Sequence, residues 1–237
     1  MPLSIIYQDE YLVVINKPHG LLVHRSPIAA DATEFALQLL RDQLGQKVYL
    51  VHRIDRKTSG VLVFALSAEV CSVLGKSWQE RKVDKTYLAI VRGWPSDDEG
   101  VIDYELANEA GTAQQAVTRY RCLQRVELPV AYGRYTTSRY TLVEAYPETG
   151  RMHQIRRHLS HIRYPIVGDR PHGCSKQNRL WKSKWKMTYM MLHARAVTFH
   201  HPITARPLTV VAPLSAEMER VCGILNLQIN DTHAHTR

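Results

Sequence analysis

Apolar and polar positions alternate along IIYQDEYLVVINKPHG, which predicts two short strands joined by the turn Gln8-Asp9-Glu10 and followed by a Pro-x-Gly loop. From Asp31 to Leu44 the period becomes helical. Phe35, Leu39 and Leu40 recur on one side, Asp31 and Glu34 have capping-box spacing, and Gly45 supplies a stop. The β-rich run VYLVHRIDRKTSGVLVFAL is interrupted by its polar centre. Ser67 then caps a second helix expected to place Val70, Val73, Leu74 and Trp78 on one face. KTYLAIV, from Lys85 to Val91, alternates as a strand, and Gly93, Pro95 and Asp97-Asp98-Glu99 mark an exposed turn. Further strands are expected around Val117, at Tyr140 to Ala145, at Ala196 to His200 and at Leu208 to Ala212. A basic helix from Arg151 to Ile162 lies among them, with Met152, Ile155, Leu159 and Ile162 as its buried stripe. No linker or repeat divides the chain. The pattern predicts one α+β domain over residues 1–226 with a mainly antiparallel sheet, and a disordered tail over 227–237.

Composition adds a partner to this picture. The 237 residues are 45% hydrophobic, enough for a real core, while Lys plus Arg number 31 against 22 Asp plus Glu. A sequence pI near 9.5 points to a polyanion, because clustered cations bind phosphates by releasing counterions. No long apolar run or basic amphipathic helix favours a membrane. The N-terminus has no secretory pattern, and Cys71, Cys122, Cys174 and Cys222 form no Cys-x-x-Cys pair, so reduced thiols in a cytoplasmic protein are expected.

Three segments carry candidate chemistry. In HRIDRKTSG an extended backbone turns His52 and Ile54 one way and Arg53 and Asp55 the other. Asp55 is thus one carboxylate among Arg53, Arg56 and Lys57, which favour its ionised form and attract phosphate. A strand-end ion pair is the structural alternative. In DKTYLAI, Tyr87 is either a core residue of a strand or a ring that stacks on an extruded base. In TGRMHQIRRHLSH, Arg151, Arg156 and Arg157 load a short helix with cations, for an anionic partner or for solvent. His153, His158 and His161 do not share a helix face and lack companion ligands, so no metal is expected. KQNRLWKSKWK, Lys176 to Lys186, sets Trp181 and Trp185 among five cations. The pair either packs a helix on the core or stacks on bases beside cations such as Lys176 and Arg179.

These blocks together resemble the RluA-type pseudouridine synthases. HRIDRKTSG is similar to their HRLD…TSG signature, and INKPHGLLVH, KTYLAI, TGRMHQIRRHL, YPIVGD and LHA follow in the family's order, from about Ile5 to Ala212. LPVAYGRYTTSRY, RRHLSHIRYPIVGD and KQNR look like the branch that acts on tRNA. The resemblance implies a bent, mainly antiparallel catalytic core with flanking helices and a central RNA-binding cleft. It implies Asp55 as the catalytic aspartate, Tyr87 as the active-site tyrosine, Arg156 as the arginine paired with the aspartate, and Arg53 as the filler of the flipped nucleotide's place. The implied reaction isomerises a uridine, at position 65 of tRNA, to pseudouridine without metal or cofactor. Arg53, Arg56, Lys57, Arg151, Arg157, Lys176 and Arg179 are the expected RNA contacts, and a monomer without a separate S4-like module is expected. The connection from Glu105 to Val117 is short for such an enzyme, and Arg56-Lys57 is more basic than the usual pair. The alternatives are an enzyme of the same chemistry acting on ribosomal RNA, and an RNA-binding or folding factor. A metal-dependent nuclease would need a carboxylate cluster where Asp55 has cations.

Overall fold

The structure is a computed structural model in which residues 2–24 and 33–229 are described. The chain forms two compact units, each assembled from two separate stretches. Unit 1 combines Met1–Lys85 with Ala194–Ser215, and unit 2 combines Thr86–His193 with Ala216–Arg237.

Unit 1 begins with strands β1 (Ser4–Gln8) and β2 (Leu12–Lys17), an antiparallel hairpin. Asp9 closes its turn, Oδ1 accepting from the Tyr11 and Leu12 amides. A short β3 (Tyr49–Leu50) precedes β4 (Ser59–Ala65), whose seven residues are all buried. β4 pairs antiparallel with β2, from Leu12 opposite Ala65 to Lys17 opposite Gly60. β11 (Leu192–His200) follows β4 in the sheet order and carries β12 (Pro207–Val211) antiparallel on it. Gly60 explains the glycine of the TSG triplet. Its φ is +108°, and a Cβ there would lie 2.1 Å from the Ala194 carbonyl oxygen, so no other residue fits.

Helix α1 spans Ala36–Leu44 and ends at Gly45 in the left-handed conformation, as the sequence predicts. It starts later than expected, with Phe35 at the N-cap, so Glu34 lies outside it; Asp31 falls outside the described residues. Helix α2 (Ala68–Gln79) is capped by the Ser67 hydroxyl, which accepts from the Val70 amide. Val70 and Leu74 are buried, but Val73 is half exposed, one position off the narrow buried stripe.

In unit 2 the strand order is β5 (Asp84–Arg92), β10 (Ser138–Pro147), β9 (Val117–Leu128), β6 (Glu99–Asp103), with antiparallel neighbours throughout. β10, flanked on both sides, is buried along nearly its whole length instead of alternating. β7 (Leu106–Ala107) and β8 (Ala113–Gln114) form a separate small hairpin. Helices α3 (Gln154–His161), α4 (Ser175–Trp185) and α5 (Ala216–Leu225) complete the unit. Leu227 is buried and the Gln228 amide donates to Gln124; residues 230–237 of the expected tail lie outside the described residues. The architecture is α+β with mainly antiparallel pairing, the class read from the sequence.

Candidate active site

Asp55 stands in the loop between β3 and β4, where its carbonyl accepts from the Thr58 amide at 3.0 Å and closes a turn. Arg53 and Arg56 are exposed, Ile54 is buried and Asp55 is half-buried. Beneath this turn lies a residue that the sequence reading did not single out. Lys17 ends the apolar β2, is fully buried, and donates from Nζ to the carbonyls of Pro18 (2.9 Å), Leu21 (2.9 Å) and Arg56 (3.1 Å). Burial pushes its ammonium down to about 7, against the upward pull of the Asp55 carboxylate. The Arg56 carbonyl also accepts from the Gly20 amide, and Arg56 Nε returns a bond to the Gly20 carbonyl. The Pro-x-Gly loop and the segment after Asp55 are therefore stitched together. The available signal was a lysine closing an otherwise apolar strand.

His52 supports the same loop. Its Nε2 accepts from the Val63 amide at 3.1 Å and its ring stacks on Trp78, with centroids 5.0 Å apart. Accepting from an amide requires an unprotonated Nε2, and burial pushes the pKa down to about 3.

In unit 2, Tyr87 is a half-buried residue of β5 opposite Ala145 of β10. Arg156 projects from α3 and is 4% exposed. That helix begins at Gln154, not at Arg151, because His153 takes the left-handed conformation at φ 55°. Met152 consequently lies outside it and is exposed, contrary to the expected stripe, while Ile155 and Leu159 are buried. Gln154 fixes the entry. Its Oε1 accepts from the Thr149 hydroxyl and the Arg151 amide, and its Nε2 donates to the Val117 carbonyl and Thr118 Oγ1.

Arg156 donates through Nε to Asp169 Oδ2 at 2.7 Å and through Nη2 to Oδ1 at 2.9 Å, with Asp169 only 1% exposed. The sequence reading assigned Arg156 to Asp55 and missed Asp169. Yet Asp169 is the sole carboxylate between Glu148 and Glu217, an isolated acid in a strongly basic stretch. It sits after Gly168, where φ is +82° and a Cβ would meet the Tyr189 carbonyl oxygen at 1.8 Å. The His172 amide also donates to Asp169, and His172 Nε2 lies 3.0 Å from His153 Nδ1. Burial lowers the pKa of His172.

Of the remaining expected contacts, Arg151 Nε donates to the Gln115 carbonyl and Arg157 Nη1 to the Ala107 carbonyl, while Lys57 is half-buried. Lys176 and Arg179 are exposed on α4. Trp181 is fully buried and packs the helix inward, and the half-buried Trp185 ring lies tilted against it with centroids 4.3 Å apart. His158 bridges Thr118 Oγ1 and the Tyr104 carbonyl, and His161 stacks on the Tyr104 ring. Among the described residues no group of three His, Cys, Asp or Glu is placed to hold a metal. Among them, too, no helix is long and apolar enough to cross a membrane.

A carboxylate near a buried lysine, and a buried guanidinium, are groups suited to acid–base or covalent chemistry on a polyanionic substrate. Comparison with known proteins assigns the class. Residues 11–161 match the RNA pseudouridylate synthase family, and the chain belongs to it. It is therefore an isomerase. It is 49% identical to a tRNA pseudouridine synthase C of Vibrio cholerae, over 90% of this chain and 91% of that protein. A tRNA pseudouridine synthase C of Pasteurella multocida is 44% identical over 98% of this chain and all of its own length. Among solved structures, human RNA Pseudouridylate Synthase Domain Containing 4 superposes with a TM-score of 0.75, at 27% identity and 96% coverage of this chain, 95% of that one.

Proposed function

We propose that this chain converts a uridine of tRNA, at position 65, to pseudouridine, with Asp55 as the group that opens the reaction. The observation that carries the reading is Asp55 itself, set in HRIDRKTSG on a turn held from below by Lys17, in a chain nearly half identical to named tRNA pseudouridine synthases. The glycosidic bond from C1′ to N1 breaks and a bond from C1′ to C5 forms. The C5 proton is lost to solvent and N1 gains one, so atoms balance without an oxidant or energy source. Asp55 acts either by covalent addition or by taking a sugar proton to give a glycal. Tyr87 stacks on the extruded uracil, and Arg156 is the electrostatic partner of Asp55. Arg53 holds the place of the flipped nucleotide. Arg56, Lys57, Lys176 and Arg179, with the remaining donors of Arg151 and Arg157, meet the phosphates. The reaction takes place in the cytoplasm.

The test is tritium release from tRNA labelled at uracil C5, with wild type beside Asp55→Ala and no metal or nucleotide added, followed by mapping of the product. Release at position 65 by wild type alone is the expected result. Release from ribosomal RNA only would redirect the substrate. Silence on both RNAs would leave a binding or folding factor.

A further inference from the structure

Six Lys and Arg residues and no acid lie between Arg170 and Lys186, a concentration that stands out in a chain whose formal net charge is +9. The structure sorts this segment by face. The inner side of α4 is fully committed to packing. Gln177 accepts from the Tyr140 hydroxyl at 2.7 Å, and Trp181 meets the Tyr140 ring edge-on. Asn178 accepts from the Gly168 amide through Oδ1 at 2.9 Å and donates through Nδ2 to the Asp169 carbonyl at 2.6 Å. The outer side carries Lys176, Arg179 and Lys182, three residues apart and therefore along one face, with exposed Ser183 among them.

Elsewhere in unit 2 several exposed arginines are paired with acids: Arg119 with Glu148, Arg121 with Glu144, Arg125 with Asp98 and Arg139 with Glu127. Among the described residues Lys176, Arg179 and Lys182 form no ion pair. Fixing three like charges on one rigid helix is unfavourable unless an anion meets them. Trp181 is fully buried and Trp185 is half-buried against it, and the exposed positions of this face are Lys, Arg and Ser, so it has no apolar side chain to insert into a lipid surface.

We propose that the outer face of α4 is a docking surface for the phosphate backbone of a tRNA duplex, extending to Lys182 and Ser183 beyond the two contacts assigned above. The inference rests on the tRNA reading. α4 is also the helix whose Asn178 clamps the Gly168–Asp169 turn, and Asp169 orients Arg156. The docking face is thus tied to the turn that sets the guanidinium, two side chains away.

The experiment measures Kd for tRNA against salt, using the full chain. Lys176→Gln, Arg179→Gln and Lys182→Gln combined should weaken binding about a hundredfold near 0.1 M salt and flatten the slope of log Kd on log salt by about 2–3. Arg41→Gln, Lys47→Gln and Lys76→Gln combined, in unit 1, should leave both within twofold. A gain-of-charge variant, Ser183→Lys, should steepen the slope by about 1 and decides the matter if the triple variant folds poorly. The inference is overturned if the α4 variants keep the wild-type slope, if the unit 1 control loses as much, or if anionic vesicles bind wild type in place of tRNA. Tritium release by wild type is scored separately. An active enzyme with an unchanged slope sinks only the docking face, whereas wild type that neither binds nor modifies tRNA sinks the substrate reading.

Discussion

Arg156 grips Asp169 through two parallel hydrogen bonds, at 2.7 and 2.9 Å, with both side chains out of solvent. A planar fork of this kind fixes the plane of the guanidinium as well as its charge. Asp169→Asn removes the buried charge that grips the Arg156 fork, so stability should fall by about 3–5 kcal/mol and turnover should collapse. Combining Arg156→Met with Asp169→Leu should restore most of the stability in urea unfolding and none of the activity. Recovery of turnover in the double variant would remove Arg156 from the chemistry.

His52 gives stability a dependence on acid. Its folded pKa, about 3, lies below the ordinary value near 6.5, so the unfolded chain takes up the proton first. The contribution is complete above pH 6.5 and is lost as pH falls towards 3, by up to about 1.4 kcal/mol per pH unit. Urea midpoints measured from pH 7 to 4 should show the decline, and His52→Gln should flatten it.

Lys17→Met deprives three carbonyls of a donor and Asp55 of a neighbouring cation. About 2–4 kcal/mol should be lost, at roughly 1 kcal/mol for each bond, with at least a tenfold fall in kcat. The folded ammonium titrates near 7 and the unfolded one near 10.4, so the unfolded state holds more protons between those values. Wild-type stability should therefore gain a component that rises from pH 7 to 10, absent in the variant. Thermal unfolding across that range reads both effects.

Tyr87→Phe keeps the ring and removes the phenol. If stacking is the role of Tyr87, RNA binding should hold within about twofold, since base–aromatic contact of about 1–3 kcal/mol does not need the hydroxyl. The comparison of kcat for Phe and Leu at this position separates stacking from proton transfer.

Much of the frame was legible because it depends on short-range rules. The Ser67 cap, the Gly45 stop and the strand at Lys85 to Val91 follow from local pattern, and they are present. The motif order also placed the chain in its family. What escaped depends on neighbours distant in sequence. Arg151 carries a helical pattern, but His153 adopts a left-handed backbone and Gln154 is held by β9, so α3 starts three residues later. Val73 is apolar, yet it falls one position off the buried stripe of α2 and is half exposed. Lys17 and Asp169 were visible as misfits, a cation in an apolar strand and a lone acid in a basic stretch. Their partners, the Arg56 carbonyl and Arg156, were not.

Each unit closes with a stretch synthesised late. Unit 1 needs Ala194–Ser215, and unit 2 needs the helix that begins at Ala216, more than a hundred residues after the Asp55 loop has left the ribosome. Neither unit can finish during translation of the first half of the chain. The nascent protein must hold the apolar β4 without β11 beside it until the last quarter is made. Cotranslational exposure of that strand, rather than any weakness of the finished fold, is where a chaperone would find its target.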